Sequence, residues 1–149
     1  YYNKGEKRSV FIAFENGFHG DTFGAMGVSG LSVYNGPFED FLIDVKRIPT
    51  PDGTNQEEII NLLEDYVSNN KIAGFIYEPL LQGAAGMKIH DAAGLNEILK
   101  FCKNQKVLTI ADEVMTGFGK TGKNFASEFM DTKPDIICLS KALTAGLLP

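Results

Sequence analysis

Two short apolar runs in this sequence each end at a charged side chain, and this pattern constrains the fold more than any other feature. Residues 107–111 lead to Asp112, and residues 136–140 lead to Lys141. Short continuous apolar runs are typical of the buried strands of parallel sheets. The carboxyl ends of parallel strands meet at one edge, which is where open α/β sheets build their sites. The pattern therefore predicts an acid and an amine on neighbouring strand ends.

The rest of the sequence alternates between segments with strand character and segments with helix character. Strands are predicted at residues 10–14, 42–48, 72–77 and 107–111, with residues 42–48 at an edge of the sheet. Helices are predicted at residues 22–28, after Thr54, where the sequence resembles a capping box, and after Asp91, a candidate N-cap. This alternation predicts an α/β fold with a mostly parallel sheet flanked by helices.

Charge and cysteine content exclude several classes of protein. The net charge is −5 with acids and bases interspersed. The sequence has no basic stripe that would indicate binding to nucleic acid and no polybasic run that would indicate binding to a membrane surface. Cys102 and Cys138 lie in apolar runs without paired spacing, which predicts buried thiols in a reducing compartment such as the cytoplasm. Together with His19 and His90 they show no ligand spacing, so no metal site is expected.

An acid and an amine at neighbouring strand ends suggest the chemistry of pyridoxal phosphate. A lysine amine can hold the cofactor aldehyde as a Schiff base, and a carboxylate against the pyridine nitrogen keeps the ring protonated. Asp112 and Lys141 suit these two roles. Taken alone, each residue is more often ordinary, because Asp112 could cap a turn and Lys141 could be a solvated residue of a first helical turn.

The residues around this pair resemble a known family. Residues 112–122 and 134–143 are similar, in the right order, to the two signature segments of the class III, fold-type I aminotransferases. Residues 14–26 and 78–87 resemble the branch of that family that acts in biotin biosynthesis. The resemblance runs from about Ser9 to the end of the chain, and it implies pyridoxal phosphate as the cofactor.

The resemblance also implies roles for four residues. Lys141 would hold the cofactor and shuttle the proton, and Asp112 would be the partner of the pyridine nitrogen. Phe18 would stack on one face of the ring, at a position where the family more often has Tyr, and Val114 would pack on the opposite face. A flat apolar side chain can stack without a hydroxyl, so the departure at Phe18 concerns substrate contacts more than cofactor binding.

Five further residues are weaker candidates. Glu78 is interpreted as an acid that supports the Asp112 region and His19 as a support of its own loop, and both are counted among the cofactor-binding residues. Lys120, where many relatives carry Arg, could contact a substrate carboxylate or a neighbouring acid such as Asp21, or could be an ordinary exposed lysine. Gln82 could simply belong to a glycine-rich turn.

As implied by the resemblance, the reaction transfers an amino group from S-adenosylmethionine to 8-amino-7-oxononanoate, in a homodimer with its sites at the subunit interface. Another amino donor (an ω-amino acid, ornithine or lysine) is an alternative, and so is a domain that binds the cofactor without catalysing a reaction. The chain would be part of the large domain. Residues 1–5 would finish a helix, the phosphate-binding turn would precede Tyr1, and a small domain would follow Pro149, so the isolated chain is expected to bind the cofactor weakly and to be inactive.

A nucleotide hydrolase is the rival from another class. Gly119, Lys120 and Thr121 end like a phosphate-binding P-loop, and residues 108–113 look like an acidic magnesium-binding strand. The full loop pattern requires a glycine where Val114 stands, and the acidic strand should follow the loop. Because both requirements fail, the hydrolase interpretation is not favoured.

Overall fold

A computed structural model describes residues 1–148 of the chain. The strands are β1 (Val10–Phe14), β2 (Val45–Ile48), β3 (Ile72–Tyr77), β4 (Leu81–Gln82), β5 (Lys88–Ile89), β6 (Leu108–Asp112) and β7 (Ile136–Cys138). Five of them form one parallel sheet in the order β2-β1-β3-β6-β7, and β4 and β5 pair as a small antiparallel hairpin.

The helices are α1 (Phe23–Val28), α2 (Gln56–Asn69) and α3 (Ala92–Asn104). Short 3-10 helices occur at Tyr2–Lys4, Gly36–Phe41, Ala126–Phe129 and Lys141–Thr144. Among residues 1–148, no helix is both long and apolar enough to cross a membrane. The predicted α/β class with a parallel sheet and flanking helices is confirmed.

The core lies between one face of the sheet and two helices. Side chains of the central strands, such as Ile12 and Phe75, share a buried cluster with Leu63 of α2 and with Leu95 and Leu99 of α3. The 3.6-residue period of the apolar positions explains this packing, because it gives each helix a single apolar stripe that faces the sheet. The helix predictions after Thr54 and after Asp91 are therefore confirmed in position and in the face that they bury.

The last strand departs from the prediction. Ile136 and Ile137 of β7 are 47% and 43% exposed, and Cys138 is only partly buried. Their apolar run predicted a buried strand and a buried thiol, and both predictions are wrong for these residues. The physical reason is position. Within residues 1–148, β7 pairs with β6 on one side only and forms an edge of the sheet, so its burial depends on neighbours that its own sequence does not specify.

The first residues of α3 and α2 differ in how well the sequence predicted their caps. Asp91 caps α3 as predicted, accepting the Gly94 N–H at 2.6 Å. The capping box at Thr54 is wrong, because α2 begins after Asn55 without a side-chain cap and the Thr54 hydroxyl instead donates to Asp52 at 2.8 Å. Strand β2 also begins three residues later than predicted, at Val45.

The topology places a crevice between β1 and β3. From β1 the chain passes through α1 to β2 on one side, whereas from β3 it passes through α3 to β6 on the other side. The loops that follow these two neighbouring strands therefore diverge. In open α/β sheets, ligands bind at such a point, outside the carboxyl ends of the strands.

Candidate active site

The carboxyl edge of the sheet concentrates unusual backbone conformations. A non-glycine residue with positive φ follows each of four strands: Asn16 after β1 (58°), Leu80 after β3 (64°), Phe118 after β6 (62°) and Lys141 after β7 (48°). Such conformations are sparsely populated by side chains with a Cβ, and they cluster where a site demands a particular loop path. These four are among seven such residues in 1–148, and their positions agree with the edge that the acid and the amine indicate.

Asp112, the last residue of β6, is held at this edge by two hydrogen bonds. One carboxylate oxygen accepts the Val114 N–H at 3.1 Å, and the other lies 2.8 Å from Nδ1 of His19. The Asp112 side chain is 9% exposed and that of His19 is 2% exposed, so water has little access to the pair. An ionised carboxylate can only accept hydrogen bonds, which makes Nδ1 of His19 the donor.

His19 was expected to support its own loop beside the cofactor, and the structure gives its ring a direct partner in Asp112. The other ring nitrogen, Nε2, is buried and has no hydrogen-bond partner within residues 1–148. Gly17 makes room for the ring, because a Cβ at this position would lie 3.1 Å from Nε2. The glycine two residues earlier is therefore the local signal that could have indicated an inward-facing histidine.

Glu78, directly after β3, fixes the loop after β1 and makes no hydrogen bond to Asp112 within residues 1–148. Its two carboxylate oxygens accept the Phe18 N–H and the Gly83 N–H, each at 3.0 Å. Burial raises the pKa of the Glu78 carboxyl, whereas these two N–H donors act in the opposite direction. Glu78 thus bridges the two loops that diverge at the crevice, and it determines where the backbone of Phe18 lies.

The other residues predicted around the cofactor ring differ in exposure. The Phe18 ring is 50% exposed and Val114 is partly exposed, so each has a surface free for a ligand. Lys141 is exposed, and its amine has no hydrogen bond or ion pair to any residue in 1–148. It lies three residues beyond Cys138, which is the register partner of Asp112 on the adjacent strand.

Lys120, Asp21 and Gln82 were the weaker candidates. Lys120 and Asp21 are both exposed, and no ion pair joins them among the described residues. Gln82 is fully buried and donates to the Glu15 carbonyl at 2.8 Å, which makes it part of the scaffold beneath the loop. No α-helix follows Gly119–Thr121 up to residue 148, so the strand, loop and helix of a P-loop are not present there.

Glu113 is the residue that sequence reasoning missed. It is completely buried, and its carboxylate accepts four hydrogen bonds: from the Thr116 hydroxyl, from the Ala126 N–H, and from the N–H and hydroxyl of Ser127, at 2.6 to 3.0 Å. Neighbouring residues of an extended segment point to opposite sides. Asp112 therefore faces the site, while Glu113 organises the loop that carries Val114 and Lys120.

A cavity of about 890 Å³ opens beside the loop after β1. Its walls are largely apolar and aromatic, with Phe18, Phe23, Tyr34 and Phe38 among the lining residues, and Lys88 contributes one cation. A concave apolar surface with a few polar groups is typical of small-molecule sites. No group of three His, Cys, Asp or Glu side chains in residues 1–148 is arranged to hold a metal ion.

Comparison with known proteins agrees with this geometry. The chain is 41% identical to adenosylmethionine-8-amino-7-oxononanoate aminotransferase of Staphylococcus aureus over 154 residues, which cover 96% of this chain and 34% of that protein. The protein of the same name from Synechococcus elongatus is 40% identical over 157 residues, covering 100% of this chain and 37% of that protein.

Solved structures agree as well. The structure of the Methanocaldococcus jannaschii protein of the same name superposes with a TM-score of 0.89 at 38% identity and covers 100% of this chain and 35% of that one. An amine transaminase from an uncultivated Pseudomonas species, in a PLP-bound form, superposes with a TM-score of 0.86 at 32% identity, covering 95% of this chain and 35% of that one.

The chain spans about a third of the length of these relatives. The sequence model described as Aminotransferase class-III matches residues 1–149. The match covers the loop after β1, both strand ends at Asp112 and Lys141, and the scaffold that joins them. This chain belongs to the class III aminotransferase family.

Proposed function

We propose that this chain is part of the large domain of a pyridoxal phosphate-dependent aminotransferase, and that the enzyme transfers an amino group from S-adenosylmethionine to 8-amino-7-oxononanoate to give 7,8-diaminononanoate. The single observation that carries the proposal is the nearly dry Asp112 carboxylate, bonded to His19 at 2.8 Å, on the strand next to the one that leads to Lys141. The names of the relatives support the choice of substrates.

The residues present suit this cofactor. The Asp112 side chain is 9% exposed, and its carboxylate can accept a further hydrogen bond beyond those from His19 and Val114. The partner of a pyridine nitrogen must have this capacity. Phe18 and Val114 offer apolar surface for the two faces of a ring, and the Lys141 amine is accessible. When bound, pyridoxal phosphate supplies the electron sink that stabilises a substrate carbanion.

Each of these residues has a distinct task. Asp112 supplies a negative charge in a site with little water, where it favours a protonated ring nitrogen more strongly than it would in solvent. His19 fixes the orientation of that carboxylate. Lys141 would hold the cofactor, and its amine, once released, would move a proton to and from the substrate carbon. Its positive φ, 48°, is a strained conformation that fits a residue held for function.

The proposed amino donor has several alternatives. Ornithine aminotransferase from Toxoplasma gondii, at 28% identity, superposes with a TM-score of 0.84, so donors such as ornithine, lysine or an ω-amino acid remain the alternatives. A domain that binds the cofactor without catalysing a reaction is the other alternative to the proposed function. We further propose that the enzyme is a cytoplasmic homodimer and that its phosphate-binding turn and small domain are contributed by other segments of a longer protein.

Borohydride reduction tests the assignment of the lysine. The protein is incubated with pyridoxal phosphate, reduced and mapped by peptide mass spectrometry, and we expect the label on Lys141. Lys141→Ala should remove the label, whereas the control Lys123→Ala should retain it, since the Lys123 amine is engaged with the Glu128 carbonyl at 3.0 Å. A label on Lys120 or Lys123 would refute the assignment. Product formation with each candidate donor then distinguishes the substrates.

A further inference from the structure

We propose that Ser29 and Arg47 are positioning residues that hold His19 against Asp112. The inference deepens the proposed function, since it names what keeps the carboxylate in place for the cofactor. Neither residue makes a hydrogen bond to the Asp112 carboxylate, and Arg47 lies on β2, which β1 and β3 separate from β6. Their contribution passes through the backbone of the loop after β1.

The Ser29 hydroxyl makes the contact that matters most. It accepts the backbone N–H of His19 at 3.0 Å and donates to the carbonyl of Ala25 at 2.8 Å. Ser29 is 3% exposed, so water cannot easily replace the hydroxyl. The hydrogen bond therefore ties His19 to the end of α1 at the very residue whose ring binds Asp112.

The neighbouring backbone reinforces this attachment. The Gly30 N–H donates to the carbonyl of Gly17 at 2.8 Å, and a Cβ at Gly30 would lie only 2.8 Å from the Cα of Asn16. The segment after α1 and the loop after β1 therefore run in close contact on both sides of Phe18. A shift of one segment must move the other, because tightly packed backbones have little room to adjust independently.

Arg47 anchors the segment after α1 to the sheet. One guanidinium nitrogen, Nη2, donates to the carbonyls of Gly27 at 3.1 Å and of Ser29 at 2.6 Å. Both carbonyls lie at the carboxyl end of α1, where a cation is favourable. Arg47 thus fixes the backbone of Ser29, Ser29 fixes the backbone of His19, and His19 orients Asp112.

The test observes His19 directly. The chain contains two histidines, so ¹⁵N-histidine labelling of the full chain gives few signals, and His19→Gln assigns the ones from His19. Its Nδ1–H proton is shielded from water and should give a low-field resonance. In Ser29→Ala, losing a hydrogen bond of ordinary strength should increase amide exchange at His19 by roughly ten-fold and should broaden or remove the Nδ1–H signal.

Matched variants separate positioning from general loss of stability. Ser68→Ala removes a hydroxyl that donates to the carbonyl four residues earlier, as Ser29 does, but at an exposed site far from His19. Arg8→Met removes a guanidinium nitrogen that also donates to two carbonyls, those of Ile72 and Lys106. Neither control should alter the His19 signals. Arg47→Met should reproduce the effect of Ser29→Ala, and Arg47→Lys should restore part of the signal.

Titration of the longer enzyme that contains this chain with pyridoxal phosphate gives the functional readout. We expect a several-fold increase in the dissociation constant for Ser29→Ala and for Arg47→Met, and no change for the two controls. Unchanged His19 signals in both variants would overturn the inference, and so would unchanged cofactor affinity alongside lost signals. If the longer enzyme that contains this chain takes up no cofactor, the proposed function fails, whereas the His19 signals still decide whether Ser29 and Arg47 hold this side chain.

Discussion

A buried histidine outside the site makes stability depend on pH. His90 is 4% exposed, its ring packs edge-on against Phe14 with centroids 5.1 Å apart, and neither ring nitrogen has a partner within residues 1–148. Burial, with a smaller contribution from the charge of Lys88, lowers the pKa of His90 from 6.5 to about 4. The folded protein therefore keeps the ring neutral at pH values where the unfolded chain protonates it.

The sign and size of the effect follow from this difference. Between pH 6.5 and 4 the unfolded chain binds more protons than the folded one, so stability is fully present above about 6.5 and is lost as the pH falls toward 4. With 1.36 kcal/mol for each pKa unit, the loss between pH 7 and pH 5 is about 2 kcal/mol. Other groups titrate in this range too, so the measurement needs a variant that lacks only this ring.

His90→Phe is that variant, because phenylalanine fills a similar volume against Phe14 and cannot be protonated. Urea unfolding of both proteins at pH 7 and pH 5 gives two changes in the free energy of unfolding. We expect the wild type to lose about 2 kcal/mol more than His90→Phe, since contributions from shared carboxyl groups cancel in the comparison. Equal pH dependence in the two proteins would show that His90 stays accessible to protons, which would refute the reasoning.

Two further substitutions concern the acidic strand end. Asp112→Asn should leave the urea midpoint nearly unchanged. In the longer enzyme it should reduce both half-reactions on the order of a hundred-fold, because an amide cannot favour a protonated ring nitrogen; near-normal rates would mean that Asp112 only caps a turn. Glu113→Gln should cost roughly 2–4 kcal/mol of unfolding free energy, because its NH₂ would face donors such as the Ser127 N–H. The exposed control Glu128→Gln should cost almost nothing, and equal stabilities would contradict the role of Glu113.

Sequence patterns located the edge of the site but not the contacts on it. Apolar runs set the strands, and parallel strands bring their ends together, so it could be predicted that Asp112 ends one strand and that Lys141 follows the neighbouring one. The hydrogen bond between His19 and Asp112 joins residues 93 positions apart, and no local pattern specifies such a pair. The role of Glu113 could not be predicted for another reason. In the sequence it is simply a second acid after the same strand, and the side chains differ in environment because neighbouring residues of an extended segment point to opposite sides.

Burial and caps were the features that local reasoning judged least well. The apolar run of β7 is as hydrophobic as that of a central strand, but exposure is decided by neighbours in the sheet. Thr54 and Asn55 have the residue types of a helix start, yet Asp52 competes for the Thr54 hydroxyl and gives the turn its own hydrogen bonds. Short polar side chains before a helix have several partners within reach, and the sequence does not rank them.

The two ends of β7 are attached to the molecule very differently. At its start, the Asp135 carboxylate accepts the N–H and the hydroxyl of Thr109, both at 2.9 Å, which pins the strand to its neighbour. At its finish, Leu139 and Lys141 are exposed and only three residues of ladder precede them. The Glu113 N–H still donates to the Cys138 carbonyl at 3.0 Å, so we expect fraying to begin beyond Cys138, on the side of the lysine, and not at the aspartate. A ligand attached to Lys141 and also held by Asp112 would fix the carboxyl end of β7 to β6. Ligand binding and ordering of this strand end are therefore coupled, and each should favour the other.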